Sequence, residues 1–219
     1  MILLAIDTSG SGCNAAIYDS DADKTLGAAG EDIGRGHAER LMEFIDLALG
    51  NAGVDLPQIE RVAVTIGPGS FTGIRVGVAA ARGLSLALGI PSVGVTTLAC
   101  LAAQHLRDRP GMPVFVAIDA KRGEAYCQPF SADGQPGGQA AVLSLDEARI
   151  AAAKAGGAVI GSAAPLLGDG ATVGSADILS IDMVARLGAL ADPAADRPKP
   201  LYLRGPDAKP QAGFAIARA

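Results

Sequence analysis

The chain has 219 residues, 49% of them hydrophobic and 19% charged, with no Trp and a net charge of −5. That is enough apolar material for a packed core, and it excludes a disordered chain. The acidic balance, with no run of Lys and Arg against it, excludes strong nucleic-acid binding by this chain alone.

Residues 2–6 read as a short apolar strand that ends in Asp7-Thr8-Ser9, and Gly10-Ser11-Gly12 turns the chain back. Residues 13–18 return as an antiparallel partner, with a weaker third strand at 25–30. The opening MILLAIDTSG lacks a charged leader region and reads as a buried strand rather than a secretory signal. Asp7 sits at a strand's carboxyl end, where open α/β sheets bind ligands. A phosphate could approach Thr8 and Ser9 with a cation bridging to Asp7. The same residues equally suit a self-satisfied hairpin, with Asp7 accepting from turn amides. The two readings stand even.

Residues 37–50 carry a helical apolar stripe, Leu41, Phe44, Ile45, Ala48 and Leu49, with Glu39 and Glu43 on the outer face. His37, at the start, reads as structural rather than catalytic. Residues 61–95 then organise the chain. A β-branched run at 62–66 breaks at Gly67-Pro68-Gly69, Ser70 offers an N-cap, and a helix follows over 71–88. Gly89 and Pro91 stop it before a second strand. Strand, crossover helix and strand make a right-handed βαβ unit, and hence an α/β class. Arg75, Arg82 and Pro91 interrupt the longest apolar region and argue against a membrane span. Gly73, Gly77, Ala81, Ser85 and Gly89 form a ridge of small residues, which fits either close packing on the chain's own sheet or a helix contact with a partner. The loop before the helix lacks the Gly-Lys-Ser/Thr ending of a P-loop.

A short helix is expected over 97–106, and the polar turn at 107–111 divides the chain into lobes 1–108 and 109–219. The second half repeats the first: a strand at 113–118 ending in Asp119, a polar turn, and a returning strand at 125–130. A glycine-rich loop covers 131–139. Ser144 and Glu147 form a capping box for a helix over 145–155. A strand at 158–160 enters Gly161-Ser162-Ala163-Ala164, and a helix covers 182–191. Beyond 192 proline recurs, leaving at most an edge strand at 200–204 and an extended tail from 205. The two histidines form no HExxH pair, no CxxC or GxSxG motif occurs, and the three cysteines read as reduced, buried thiols of a cytoplasmic protein.

The segments Ile2-Leu3-Leu4-Ala5-Ile6-Asp7-Thr8-Ser9, His37-Ala38-Glu39-Arg40-Leu41 and Pro200-Leu201-Tyr202-Leu203-Arg204 resemble the TsaB (formerly YeaZ) family. Gly67-Pro68-Gly69-Ser70-Phe71-Thr72-Gly73-Ile74-Arg75 is the most specific of them. The resemblance implies a two-lobed actin-like ATPase (ribonuclease H-like) α/β fold with a mixed sheet in each lobe. It implies a non-catalytic subunit, without cofactor or metal, of the machinery that places N6-threonylcarbamoyladenosine beside the anticodon of ANN-decoding tRNAs. The expected partners are the catalytic TsaD paralogue as heterodimer and the TsaE ATPase, with a homodimer when alone, tRNA contact only through the complex, and no membrane. Under the resemblance the small-residue ridge becomes an interface, formed by His37, Leu41, Met42, Ile45, Gly73, Val76, Gly77, Ala80 and Ala81. Gly77→Leu is then expected to abolish association and leave the monomer folded. Asp7, Thr8 and Ser9 match the superfamily's first phosphate loop as a vestigial nucleotide contact. The alternative is a stand-alone ATPase or phosphotransferase using Asp7; a metalloprotease ranks last, for want of metal histidines.

Overall fold

The computed structural model describes residues 1–168, 172–173 and 177–204. The first sheet holds β1 (Ile2–Asp7), β2 (Gly12–Asp19), β3 (Lys24–Asp32), β4 (Arg61–Thr65) and β5 (Ser92–Val95), in the order β3-β2-β1-β4-β5. The hairpin strands pair antiparallel, and β4 and β5 add parallel to β1. The second sheet holds β6 (Val114–Lys121), β7 (Glu124–Phe130), β8 (Ala141–Ser144), β9 (Ala158–Ile160) and β10 (Thr172–Val173), in the order β8-β7-β6-β9-β10. Each sheet is three antiparallel strands followed by two parallel ones, all hung on its first strand. The repeat expected from the sequence is therefore a repeat of topology. This is the actin-like, ribonuclease H-like α/β arrangement, with a mixed sheet in each lobe.

Among the described residues five α-helices cover the sheets: α1 (His37–Ala52), α2 (Phe71–Leu88), α3 (Thr97–Asp108), α4 (Leu145–Ala155) and α5 (Ile181–Leu190). Successive residues of a strand face opposite sides, so β1 feeds two cores at once. Leu4 and Ile6 join Leu41, Phe44, Ile45, Val64, Ile74 and Val78 beneath α1 and α2. Leu3 and Ala5 join Val93, Leu98, Val116, Ile118, Val184 and Ala185 in a core where α3 and α5 lie between the two sheets. Burying each Leu or Ile in this way contributes about 1.5–3 kcal/mol.

Helix α5 comes from the second half of the chain yet packs on β1, β2, β4 and β5. A Cβ on Gly188 would run into Ala63, so helix and sheet meet backbone to backbone. Arg61 secures the end of this helix, its Nη1 donating to the carbonyl oxygens of Gly188, Ala189 and Ala191 at 3.0, 2.9 and 3.1 Å. A guanidinium at a helix C-terminus also meets the negative end of the dipole.

One expectation is corrected. Residues 200–204 form no strand, because only the Leu201 amide joins the first sheet's end, donating to Ile66 O at 2.8 Å. Between the loop expected at 131–139 and the cap at Ser144, where no element was assigned from the sequence, residues 141–144 form strand β8 and complete the second hairpin sheet against β7. The tail expected from residue 205 lies outside the described residues. Helix α2 is, among the described residues, long and apolar enough to cross a membrane, with a mean hydropathy of 1.3. It is nonetheless the crossover between the paired parallel strands β4 and β5, and it cannot leave the sheet without breaking the βαβ unit.

Candidate functional site

Asp7 ends β1 and is 4% exposed. Its Oδ1 accepts from the Ser9 amide at 2.9 Å, the Ser9 hydroxyl at 2.7 Å and the Thr65 hydroxyl at 2.7 Å. The loop between β4 and α2 then covers this turn. Ser70 N donates to Ser9 O at 2.6 Å, and Thr8 Oγ1 donates to Gly73 O at 2.7 Å. Gly69 and Gly73 have no room for a side chain, since a Cβ would overlap the carbonyl oxygens of Ser9 and Thr8 respectively. Asp7, Thr8 and Ser9 are thus brought together, with Asp7 Oδ1 taken up by Ser9 and Thr65 and the Thr8 hydroxyl by α2. The hydrogen bonds to Oδ1 are those that the self-satisfied reading of this turn calls for.

The second lobe repeats the closure. Asp119, at the matching point of β6, accepts from Lys121 Nζ at 2.6 Å and from the Lys121 amide at 2.8 Å. The lysine holds its carboxyl below the usual carboxylate range. Ser162, next in the glycine turn, takes the Asp119 amide at 2.8 Å, and its own amide donates to Asp177 at 2.8 Å. No group of three or more His, Cys, Asp and Glu stands ready for a metal ion among the described residues.

The ridge on α2 turns inward. Gly73, Gly77 and Ala81 are buried, and a Cβ on Gly77 would overlap Thr8 Oγ1 and come to 3.2 Å from Val64. His37, Leu41 and Ile45 are also buried in the chain's own core. These six therefore pack inside the protomer, which corrects the interface drawn through them. The expectation for Gly77→Leu changes with it: such a side chain would disrupt the fold. Of the nine residues, Met42 is exposed and Val76 and Ala80 are half-buried.

A second small row, offset by two residues, faces outward: Ala79, Gly83 and Ala87, with Leu86 85% exposed beside them. A Cβ on Gly83 would meet nothing within 4 Å. Sequence reasoning missed this row because both rows repeat every four residues. The signal separating them was the company each keeps: Ile74 and Val78 flank the buried row, and Arg75 and Arg82 the exposed one.

The N-terminal end of α2 meets the chain's last described residues. Asp196 O accepts from Gly94 N at 2.7 Å, and the segment runs on past Ile66 to Tyr202. Arg75 lies over Phe71, its Cζ 3.7 Å from the ring centroid, and its Nε donates to the Tyr202 hydroxyl at 2.8 Å. The Phe71 and Tyr202 rings are 5.7 Å apart. Arg204, two residues on, pairs with Glu124 of the second lobe and lies over Tyr126. One short segment therefore ties α2 to the far hairpin.

Residues 15–159 match the family model described as TsaD: tRNA N6-adenosine threonylcarbamoyltransferase. The chain is 37% identical over 133 residues to the tRNA threonylcarbamoyladenosine biosynthesis protein TsaB of Escherichia coli, a match covering 61% of this chain and 56% of that protein. It thus spans little more than half the length of that relative, and 52% of the Haemophilus influenzae one. An uncharacterised protein of Mycobacterium tuberculosis is 34% identical over 96% of this chain and 95% of its own length. Among solved structures, YeaZ from Pseudomonas aeruginosa superposes with a TM-score of 0.76 at 28% identity, covering 92% of this chain and 99% of that one.

Proposed function

The chain belongs to the TsaB (YeaZ) family, within the group that the TsaD family model covers, and from that premise we propose that it is a non-catalytic subunit of tRNA threonylcarbamoyladenosine biosynthesis. In this reading it scaffolds and activates a catalytic TsaD paralogue, acts alongside the TsaE ATPase on ANN-decoding tRNAs, and works in the cytoplasm. The division at residue 108 assigns the partner-binding helices to the first lobe.

The observation that carries the reading is the outer row of α2. A glycine inside a helix costs about 1 kcal/mol relative to alanine. Gly83 faces open space, so nothing in the chain's own packing calls for a residue without a side chain there. A second helix brought close to the backbone at Gly83 would account for it, with Val76, Ala80 and Leu86 supplying apolar contact. The three donors on Asp7 Oδ1 support the non-catalytic half, since they leave this carboxylate one oxygen with which to hold a cation for phosphoryl transfer.

Light scattering of the purified chain with its organism's TsaD paralogue tests the reading. A heterodimer that forms with wild type and is lost in Gly83→Leu, with the variant's melting temperature maintained, is the expected result. Failure of the wild-type chains to associate would overturn it, as would ATP turnover by the isolated chain that disappears in Asp7→Asn.

A further inference from the structure

Helix α2 has two chemically different flanks. At 100° per residue, Arg75 and Arg82 fall within about 20° of each other, while Val76 and Ala80 lie on the order of 100° or more around the helix. Val76 and Ala80 pack toward the α1 side of the core. Phe71 and Arg75 meet Tyr202 on the other side. The helix carries no acidic residue, and among the described residues Arg82 has no acceptor.

On that flank Arg75 is already arranged for recognition. Its Nε is committed to Tyr202 and its Cζ sits over the Phe71 ring, while its two terminal amines have no acceptor among the described residues. A guanidinium fixed in this way presents a planar fork that loses little freedom when it takes an oxyanion. The rings that hold it are themselves open, Phe71 57% and Tyr202 53% exposed. Exposed aromatic faces beside an unpaired guanidinium are what unstacked nucleotides require: a surface for a base and a fork for its phosphate.

We propose that the Phe71–Arg75–Tyr202 cluster contacts unpaired nucleotides of the RNA substrate, Arg75 taking a backbone phosphate and an aromatic ring taking a base. This deepens the functional reading above and rests on it. With a net charge of −5 the chain does not hold RNA alone, so the contact adds to binding by the assembled complex. A protein carboxylate would use the fork and leave both rings idle.

The test uses the assembled heterodimer and an unmodified ANN-decoding tRNA transcript, with affinity measured between 50 and 200 mM salt. Subunit association is scored first, by light scattering without RNA. Arg75→Gln should weaken tRNA binding roughly tenfold and flatten the salt slope by about 0.7, the share of one phosphate on a single strand. Phe71→Leu should weaken binding roughly fivefold and leave the salt slope as it was. Arg75→Lys should keep the slope and lose part of the affinity, which separates charge from geometry. Wild-type affinity and slope in Arg75→Gln and Phe71→Leu would overturn the proposal. So would loss of the heterodimer in Arg75→Gln, which would assign the fork to a partner's carboxylate. A wild-type pair that fails to associate in the first step would instead remove the functional reading itself.

Discussion

One added methyl group should act in opposite directions at two glycines of α2. At Gly83, Ala brings the helix-propensity gain of about 0.8–1.0 kcal/mol, and its Cβ meets no atom within 4 Å. For a domain of this size each kcal/mol moves the melting temperature by roughly 2–4 °C, so Gly83→Ala should melt that much higher. At Gly73 the same gain is available, but the Cβ would overlap the Thr8 carbonyl oxygen, a backbone atom that cannot swing aside. Overpacking of this kind costs up to about 3 kcal/mol. Displacing the turn would also strain the hydrogen bond from Thr8 Oγ1 to Gly73 O. The net expectation is a loss of about 2 kcal/mol, and a melting point lower by about 4–8 °C. Calorimetry on the two variants decides the matter. A Gly73→Ala protein as stable as wild type would refute the claim that this row is packed against β1. Destabilisation by Gly83→Ala would refute the claim that the other row faces solvent in the isolated chain.

Arg61→Met should cost about 2 kcal/mol, because three carbonyls at the end of α5 lose a charged donor; hydrogen exchange should quicken first in α5. The acid side of the stability profile should follow Asp23, which hydrogen bonds from Arg186 and Tyr18 hold at about 2. Its pKa is depressed in the fold, so its contribution is present above the ordinary carboxylate range and lost as pH falls from about 4 toward 2. Arg186→Met should flatten that limb of a melting-temperature profile, and an unchanged limb would exclude the pair. Burial pushes the thiols of Cys13 and Cys127 up to about 11 and about 12 and raises that of Cys100 as well. A thiol reagent at neutral pH should therefore react with them on the timescale of unfolding, and rapid labelling of the native chain would contradict their burial.

What was legible in the sequence was local. Ser70 accepts from Gly73 N at 3.2 Å and Gly89 closes the same helix in the left-handed region, so the bounds 71–88 could be read from the caps. Ser144 and Glu147 did the same for α4. The hairpins at Asp7 and Asp119 were equally local, and their recurrence announced the repeated topology. Non-local pairing was hidden. Nothing around residues 141–144 says that this four-residue strand will find β7, and nothing in α5 says that it will return to β1 and β4. Periodicity also could not choose which small row of α2 faces the sheet, because both repeat at the same interval; only the large apolar neighbours of one and the arginines of the other break the tie.

The turn at Asp7 and the outer face of α2 are consequences of a single placement. An actin-like lobe that handles a nucleotide must leave its first hairpin turn open to a phosphate. Here Gly69 and Gly73 bring the β4–α2 loop down onto the carbonyls of Ser9 and Thr8, and Ser70 N and Thr8 Oγ1 fasten it. The contact that closes the turn also fixes the first turn of α2, and so sets the direction in which Arg75, Ala79 and Gly83 point. Opening the turn again for a nucleotide would mean lifting the start of α2 off β1, which would move the whole outer row. If α2 docks a partner as proposed, regaining a phosphate site and keeping that helix rigid are opposed requirements. A variant with a bulkier residue at Gly69 should therefore lose partner affinity and thermal stability together, and measuring both on Gly69→Val checks the coupling. Loss of stability with full partner affinity would show that the helix is positioned by the sheet alone.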